Sequence, residues 1–327
     1  MNPARTAADT PVSSASDRFG PAQAKRTPNE DPATPPGRVL TTHHQREDLQ
    51  HGTPRATPCI MRSPPMEAAG MPDNALHVRD GTIYFPEPLT QAAIIMRRRN
   101  RFVIDVDLDG AVIGCHCPTT GRIGTLVLDG LPCLLSPSRS STRATPYTVE
   151  AISVDPPGTP APAWIGINQN AANRFVEQAL THHMLPAMIT ACTLRREQVL
   201  GHARLDFLIN DTTYIEVKTP LDNLQVTLAS HIQTRPRPPL DSTDRLVRHI
   251  SELGDSLAAH QRAILLTCFL YDNPGFQVRP SRHHATVKAQ VSRAIRQGVE
   301  IWQVNFHLDN TGVRVLSHHE LNRQFSA

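Results

Sequence analysis

The stretch RLDFLINDTTYIEVK, residues 204–218, decides the fold of the second half of the chain. Its aromatic and β-branched residues predict two strands, at 204–209 and 213–218, with a tight polar turn at 210–212 between them. Along the second strand, alternate side chains point to opposite faces of a sheet. One face of that strand is therefore apolar and faces a core, while the other carries charge.

The length of the turn decides which side chains meet across this hairpin. A two-residue turn would pair Asp206 with Ile215, whereas a three-residue turn pairs Asp206 with Glu216. We predict the three-residue turn, because Asp206, Glu216 and Lys218 then share one face. An acid, an acid and a lysine on one face make a chemical site.

Two neighbouring carboxylates need a proton or a cation between them. At a separation near 4 Å they repel by roughly 4 kcal/mol at an effective dielectric near 20. Magnesium and manganese take carboxylate oxygens and keep water or phosphate oxygens as further ligands. Asp206 followed by Glu216-x-Lys218 resembles the PD-(D/E)xK nuclease pattern. A Glu-x-Lys strand by itself is more often a solvated face.

An amphipathic helix is predicted just before the hairpin, over residues 169–185. Its apolar stripe includes Phe175 and Val176, and Glu177 lies beside that stripe. Without a family context, Glu177 is a surface glutamate. In nucleases of the PD-(D/E)xK type, the preceding helix usually adds a further acidic residue to the metal site.

Ordered motifs link most of the chain to a known family. They are RNRF (99–102), HCPTTGR (116–122), PYTVE (146–150), IGIN (165–168), NRFVEQAL (173–180), RLDFLIN (204–210) and YIEVK (214–218). From about residue 83 onward the chain resembles the sugar fermentation stimulation protein (SfsA) family. No single motif is decisive, but the ordered set is specific.

The resemblance implies an OB-like domain, a PD-(D/E)xK nuclease-like domain, DNA binding and a cytoplasmic bacterial setting. It carries Glu177, Asp206, Glu216 and Lys218 over as the catalytic set. Asp206 and Glu216, assisted by Glu177, would hold Mg²⁺ or Mn²⁺. We therefore expect a Mg²⁺- or Mn²⁺-dependent deoxyribonuclease, and leave open whether the chain is an enzyme.

Two other classes of function remain open. One is a sequence-nonspecific DNA-binding regulator of sugar (maltose-type) metabolism genes without catalysis, as the family name suggests. The other is an interaction protein with a basic tail. The retained Asp206, Glu216 and Lys218 favour the nuclease. The altered segment 219–246, with its RPRPP loop at 235–239, favours a protein that has lost catalysis.

Composition bounds the class of protein. The chain has 327 residues, enough for two domains, with 39% hydrophobic residues, 29 prolines and a net charge of +3. The mild positive charge permits a nucleic-acid partner. No apolar run approaches the roughly 20 residues of a membrane span. We therefore expect no membrane association, and we leave open whether the chain forms a homodimer. The six cysteines are expected to be reduced thiols without a disulfide partner. We expect no zinc at Cys115-His116-Cys117.

The fold class expected is α+β of mixed type, in three segments. Residues 1–75 form a disordered, proline-rich extension, or an upstream stretch that is not translated. Residues 76–167 form a small OB-like β-barrel. Residues 168–327 form a restriction-endonuclease-like domain, in which helices flank a mixed sheet.

Turn signals place the barrel strands. Asp109-Gly110 predicts a hairpin between strands at 101–108 and 111–117. Asp129-Gly130 predicts a second hairpin between strands at 125–128 and 131–135, and further strands are expected at 148–154 and 164–167. Candidate phosphate contacts in this domain are four arginines, since guanidinium groups suit phosphate oxygens: Arg101, Arg122, Arg139 and Arg143.

Two features near these motifs matter for function. The family motif usually has Asn where this chain has Thr119, which puts a turn or ligand contact there in doubt. A helix predicted over residues 242–259 carries Arg245 and His249 four apart on one face. Both are candidate contacts for the scissile phosphate, and a solvated helix face is the alternative.

Overall fold

The computed structural model describes residues 76–140, 142–236, 244–277 and 284–325. The expected extension at 1–75 and most of the RPRPP loop lie outside these residues. Side chains at Ala92 and at 244–246 are likewise outside the description.

Two sheets and three longer helices make up the described chain. The strands are β1 (His77–Arg79), β2 (Thr82–Tyr84), β3 (Thr90–Arg98), β4 (Val103–Leu108), β5 (Ala111–His116), β6 (Pro132–Pro137), β7 (Tyr147–Ser153), β8 (Trp164–Gly166), β9 (Leu194–Leu200), β10 (Ala203–Ile209), β11 (Thr213–Lys218), β12 (Arg262–Phe269), β13 (Glu300–Leu308) and β14 (Gly312–Glu320). The helices are α1 (Gln169–Thr181), α2 (Asp244–Ser256), α3 (His284–Gln297) and the short α4 (Asn322–Phe325).

The first sheet closes into a five-stranded, OB-like barrel. The sheet has six strands in the order β5-β4-β3-β6-β7-β8. A parallel pairing of β5 with β7, His116 opposite Thr148, closes the first five into the barrel, and β8 pairs with β7 outside that ring. The expected hairpin at Asp109-Gly110 is confirmed, because Leu108 pairs with Ala111 and both turn residues have positive φ. Closure removes the exposed strand edges that an open sheet would present.

The second expected hairpin is wrong. Residues 125–128 form no strand; Leu126 makes only an isolated bridge to Thr234. Gly130 does turn with positive φ, but its N–H donates to the carbonyl of Ile95 at 2.7 Å. The strand that follows the turn, β6, therefore pairs with β3, which was not among the strands predicted from the sequence.

The second sheet is mixed, in the order β1-β2-β14-β13-β12-β11-β10-β9. β11, β12 and β13 run parallel, and their neighbours on either side are antiparallel. Phe175 and Val176 of α1 pack on one face of this sheet. The other face is covered by α2 and α3, which contribute Ile250 and Ala294. This agrees with the expected restriction-endonuclease-like architecture.

One assignment near the start of the barrel needs correction. Strands β1 and β2 fall in the segment expected to belong to the barrel, yet β2 pairs with β14 of the second sheet, with Ile83 opposite Val313. Ile83 is fully buried in the core that α1 covers. Burial of apolar side chains in that core stabilises the pairing of this segment with the second sheet. No local sequence signal predicts this long-range contact.

The barrel and the second sheet are in close backbone contact. The N–H of Gly166 in β8 donates to the carbonyl of Leu270 at 2.8 Å. A Cβ at Gly166 would lie 2.5 Å from the Cβ of Leu270, so only glycine fits there. Phe269 and Tyr271 extend the apolar cluster of the barrel interior. The two sheets therefore share buried surface.

Cysteine chemistry agrees only partly with expectation. Cys115, Cys117, Cys133 and Cys268 are free and buried. Burial raises the pKa of the Cys115 thiol to about 11, which keeps it protonated at neutral pH. Cys192, at an exposed bend, is not among these four buried free thiols. Among the described residues, no helix has the length and apolar character to cross a membrane.

Candidate active site

The hairpin of β10 and β11 has the predicted register. Phe207 pairs with Ile215 and Ile209 pairs with Thr213, which leaves a three-residue turn. Asn210 and Asp211 in this turn have φ of 53° and 57°, a left-handed conformation that Asn and Asp tolerate better than most residues. This register puts Asp206 at the level of Glu216 on the neighbouring strand.

Glu216 lies at the centre of the site and is 2% exposed. Its Oε1 atom accepts hydrogen bonds from Nζ of Lys218 and from Nδ1 of His249, which comes from α2. The Lys218 Nζ and His249 Nδ1 atoms are 3.4 Å apart. A buried carboxylate is costly unless it is paired and hydrogen-bonded, and these two neighbours supply that compensation.

The carboxylate of Asp206 bonds both to the backbone of the neighbouring strand and to a side chain of α1. Its Oδ2 atom accepts a hydrogen bond from the N–H of Val217 at 2.7 Å. Its Oδ1 atom accepts one from the side-chain amide of Asn173 in α1 at 2.6 Å. The bond from Asn173 holds the carboxylate of Asp206 on the side of α1, whereas Glu216 bonds to His249 of α2. The expected single shared face is thus corrected.

The two carboxylates nevertheless influence each other. Burial raises the pKa of Asp206 above its ordinary value, and the negative charge of Glu216 raises it further. The bonds from Val217 and Asn173 and the charge of Lys218 oppose that shift. A cation placed between the two groups would relieve the repulsion.

Glu177 is not brought to this pair. Its Oε2 atom accepts from Nη1 of Arg196 in β9 at 3.1 Å. Asn173, one helical turn earlier on α1, occupies the position beside Asp206 instead. Asn173 was not among the residues predicted for the site, although its i, i+4 spacing from Glu177 on the same helix was a usable signal.

The donor set fits a hard divalent ion only in part. In the ranges that the structure describes, no three His, Cys, Asp or Glu side chains are grouped so as to hold a metal. Asp206 and Glu216 supply two carboxylates, the ligand type that Mg²⁺ and Mn²⁺ prefer. Such an ion would take its remaining ligands from water and substrate oxygens, and it would compete with Lys218 for Glu216.

The predicted nucleic-acid contacts fall into different settings. Arg101 is exposed, with its guanidinium 4.8 Å from the ring centre of Phe102, which is itself 47% exposed. Arg122 is also exposed. His249 is buried inside the site, against Glu216, and not on a solvated helix face. The side chain of Arg245 lies outside the described part of the structure.

Arg139 and Arg143 line a cavity between the barrel and the start of α1. Both side chains are exposed to solvent at its wall. The cavity has a volume of about 440 Å³. Both arginines were predicted as phosphate contacts, but their position on one concave surface was not predicted.

Thr119, which replaces the usual Asn, is a buried structural residue. Its hydroxyl donates to the carbonyl of Ile167, and its own carbonyl accepts from the guanidinium of Arg98. It is 1% exposed. Thr119 therefore ties the loop after β5 to Ile167, the residue that follows β8, a role that a hydroxyl can perform.

Comparisons with known proteins agree with this two-part architecture. The model of the SfsA N-terminal OB domain matches residues 96–167, and that of the sugar fermentation stimulation protein RE domain matches residues 170–312. The sugar fermentation stimulation protein homolog of Chromohalobacter salexigens is 34% identical over 212 residues, covering 63% of this chain and 80% of that protein. The homolog of Sinorhizobium medicae is 34% identical over 227 residues, covering 67% and 89%.

A solved structure shares the fold. The structure of Pyrococcus furiosus SfsA in complex with Ca²⁺ is similar with a TM-score of 0.52 and 20% sequence identity. The match covers 72% of this chain and 97% of that chain. At this identity the likeness concerns the arrangement of barrel and sheet.

Proposed function

The chain belongs to the sugar fermentation stimulation protein family, and from that membership and the site geometry we propose that it is a metal-dependent nuclease acting on DNA. The observation that carries the proposal is the position of Asp206 and Glu216 on neighbouring strands, with Lys218 bonded to Glu216. Its cytoplasmic setting and a homodimeric state stay predictions.

Each residue has a distinct role in this proposal. Asp206 and Glu216 bind Mg²⁺ or Mn²⁺, which supplies Lewis-acid stabilisation of phosphate charge when bound. Lys218, 25% exposed, donates a hydrogen bond to a phosphate oxygen or to the attacking water. Asn173 and His249 are positioning residues, because they hold the two carboxylates. Glu177 assists only through water or after movement away from Arg196.

Two features support a cation at this place. Burial, followed by the negative charge of Glu216, raises the pKa of Asp206, and a bound cation would offset both effects. The Pyrococcus furiosus relative was solved with Ca²⁺, a hard ion with the same preference for oxygen ligands. Calcium in that protein supports, by analogy of fold, a divalent ion in this chain.

In this proposal the barrel binds the nucleic acid. OB-type barrels bind strands through basic grooves and aromatic side chains. Exposed Arg101 beside Phe102, and Arg122, are the contacts we assign to the phosphate backbone. Binding through such contacts is sequence-independent and weakens as salt rises.

A cleavage assay tests the proposal. Full-length protein would be incubated with single- and double-stranded DNA in Mg²⁺, Mn²⁺ or EDTA. We expect metal-dependent cutting that falls roughly 10²-fold or more in Lys218→Ala, the scale for loss of one transition-state contact. Lys288→Ala, which removes an exposed lysine of α3, is the matched control and should keep wild-type turnover. Equal cutting by Lys218→Ala and wild type would refute the site.

A DNA-binding regulator without catalysis is the second candidate. The observation in its favour is that Glu216 already receives bonds from Lys218 and His249, so that the positive charge of Lys218 balances the carboxylate without a metal. In the same assay this candidate predicts salt-sensitive DNA binding with no cutting under any metal condition. Binding would then be unchanged in Lys218→Ala.

A further inference from the structure

The cavity between the barrel and α1 has the composition of an anion-binding pocket. Its volume of about 440 Å³ lies in the range of small-molecule sites, roughly 300–1,000 Å³. Arg139 and Arg143 line it from the loop between β6 and β7, and Arg174 lines it from α1. Among the described residues, none of these three arginines has a carboxylate partner within ion-pair distance.

The acidic groups in the lining do not neutralise these arginines directly. Glu150 is buried, and its two oxygens accept from the Ser136 hydroxyl at 2.6 Å and the Asn168 amide at 2.7 Å. Glu87 is the other acidic lining residue and is exposed. Burial, followed by the charge of Arg143, lowers the pKa of His116 in the lining, which favours its neutral form.

The charge balance favours a ligand with more than one negative charge. Three guanidinium groups face two carboxylates, and the first turn of α1 adds the positive end of a helix dipole. A phosphomonoester carries about −1.5 to −2 charges at neutral pH, whereas an internal phosphodiester carries one. Guanidinium forks match phosphate oxygens geometrically.

The remaining walls suit the rest of a nucleotide. Half-buried Phe85 provides apolar surface in the same cavity, and the almost fully buried Leu89 and Phe175 also line it. Nucleobases pack against such surfaces through their flat faces. Arg174 follows Asn173, whose amide holds Asp206, so the cavity and the carboxylate pair flank the same stretch of α1.

We propose that this pocket binds the phosphomonoester of a nucleotide, with Arg139, Arg143 and Arg174 contacting the phosphate. Two sources share this chemistry: the phosphorylated end of a nucleic-acid strand and a free mononucleotide. The strand-end source rests on the proposed function, because it requires that the chain bind nucleic acid. The pocket itself requires neither a metal nor cleavage.

Equilibrium binding with the full-length chain in EDTA tests the pocket. Fluorescence anisotropy would compare one single-stranded DNA oligonucleotide carrying a 5′-phosphate, a 3′-phosphate or hydroxyls at both ends. A parallel calorimetric titration would use a free 5′-mononucleotide and its nucleoside. We expect a phosphorylated form to bind about tenfold more tightly than its unphosphorylated counterpart, the scale for a hydrogen bond to a charged group.

Variants then locate the effect. Arg143→Ala and Arg174→Ala should each abolish the preference for phosphate, while Arg293→Ala should keep it. Arg293 is the matched control, because it is an exposed arginine on α3, which covers the sheet face opposite to α1. A phosphate preference in the oligonucleotide assay identifies the strand end as a source, and one in the titration identifies the free nucleotide.

Two results would overturn the proposal that the pocket binds a phosphomonoester. Equal affinity for phosphorylated and unphosphorylated forms in both assays overturns the proposal. A preference that survives in Arg143→Ala and Arg174→Ala also overturns it, since the phosphate would then bind elsewhere. Both binding assays omit metal. A cleavage assay that refutes the nuclease proposal would therefore leave the conclusions about the phosphate pocket unchanged.

Discussion

At the scale of single residues, the site depends on how one buried carboxylate is compensated. Glu216 has Lys218 two positions along its own strand and His249 from a helix far away in sequence. The strand partner was predictable, because period 2 places it on the same face. The helical partner was not, because the rotation of α2 against the sheet depends on packing that sequence periodicity does not specify.

His249 should therefore matter for stability as well as for activity. We expect His249→Ala to lower the free energy of unfolding by about 1–3 kcal/mol, since a buried charged acceptor loses a donor. His249→Gln, which retains a donor, should recover part of that loss. Urea denaturation measures both, and exposed His202→Ala is the control. A His249→Ala protein as stable as wild type would contradict the role assigned to this contact.

Asp206 makes the free energy of unfolding depend on pH. Its pKa is raised in the folded state by burial and then by Glu216, so the folded form binds the proton more tightly than the unfolded form. Its contribution to stability is complete below the ordinary value of 3.8 and is lost as the pH rises through the raised pKa. Asp206→Asn removes this titration.

We expect Asp206→Asn to be more stable than wild type at pH 7, with the difference vanishing at pH values below the ordinary pKa of aspartate. Denaturation curves across that range measure the change. Mg²⁺ should stabilise wild type and leave Asp206→Asn unaffected, because the variant lacks one ligand. Asp211→Asn, at an exposed position in the adjacent turn, serves as control. A constant difference at all pH values would argue against the raised pKa.

At the scale of elements, local signals predicted the catalytic hairpin better than its surroundings. The β10–β11 turn was predictable because Asn210 and Asp211 tolerate a left-handed backbone. β9 was not, because LRREQVL is mostly polar and forms a strand only by pairing with β10 at the sheet edge. The wrong strand at 125–128 followed from treating Asp129-Gly130 as a hairpin turn, when the strand after it pairs with β3.

The contact of β8 with the segment after β12 is the element-scale feature most sensitive to volume. We expect Gly166→Ala to destabilise the protein by about 1–3 kcal/mol, the usual cost of overpacking, because its Cβ would meet Leu270. Gly121→Ala is the matched control. Its Cβ would meet nothing within 4 Å, and it should stay within about 0.5 kcal/mol of wild type. Thermal and urea unfolding compare the two variants.

At the scale of the whole molecule, the barrel interrupts the second sheet in the chain path. β1 and β2 come first and belong to the second sheet, the barrel follows, and the chain then returns to complete that sheet. Composition and turn signals divided the chain at residue 168, because they are local. They carry no information on which distant edge a short strand will cover.

This chain path predicts how fragments behave. A fragment of residues 168–327 lacks β2, which exposes the edge of β14, and it uncovers Phe269 and Tyr271. Exposed edges and apolar surface promote association. We expect this fragment to aggregate or to melt at a lower temperature than residues 76–327, as judged by size-exclusion chromatography and circular dichroism. Equal, monomeric stability of the two would contradict the shared core.

The pairing of β2 with β14 also bears on synthesis in the cell. Tyr84 pairs with Gly312, so nearly the whole described chain must leave the ribosome before that edge can close. The barrel in between can close as soon as β7 is made, because all five of its strands are then available. Cotranslational folding would thus finish the barrel first. The early strand must wait beside it, exposed to chaperones, until its partner arrives.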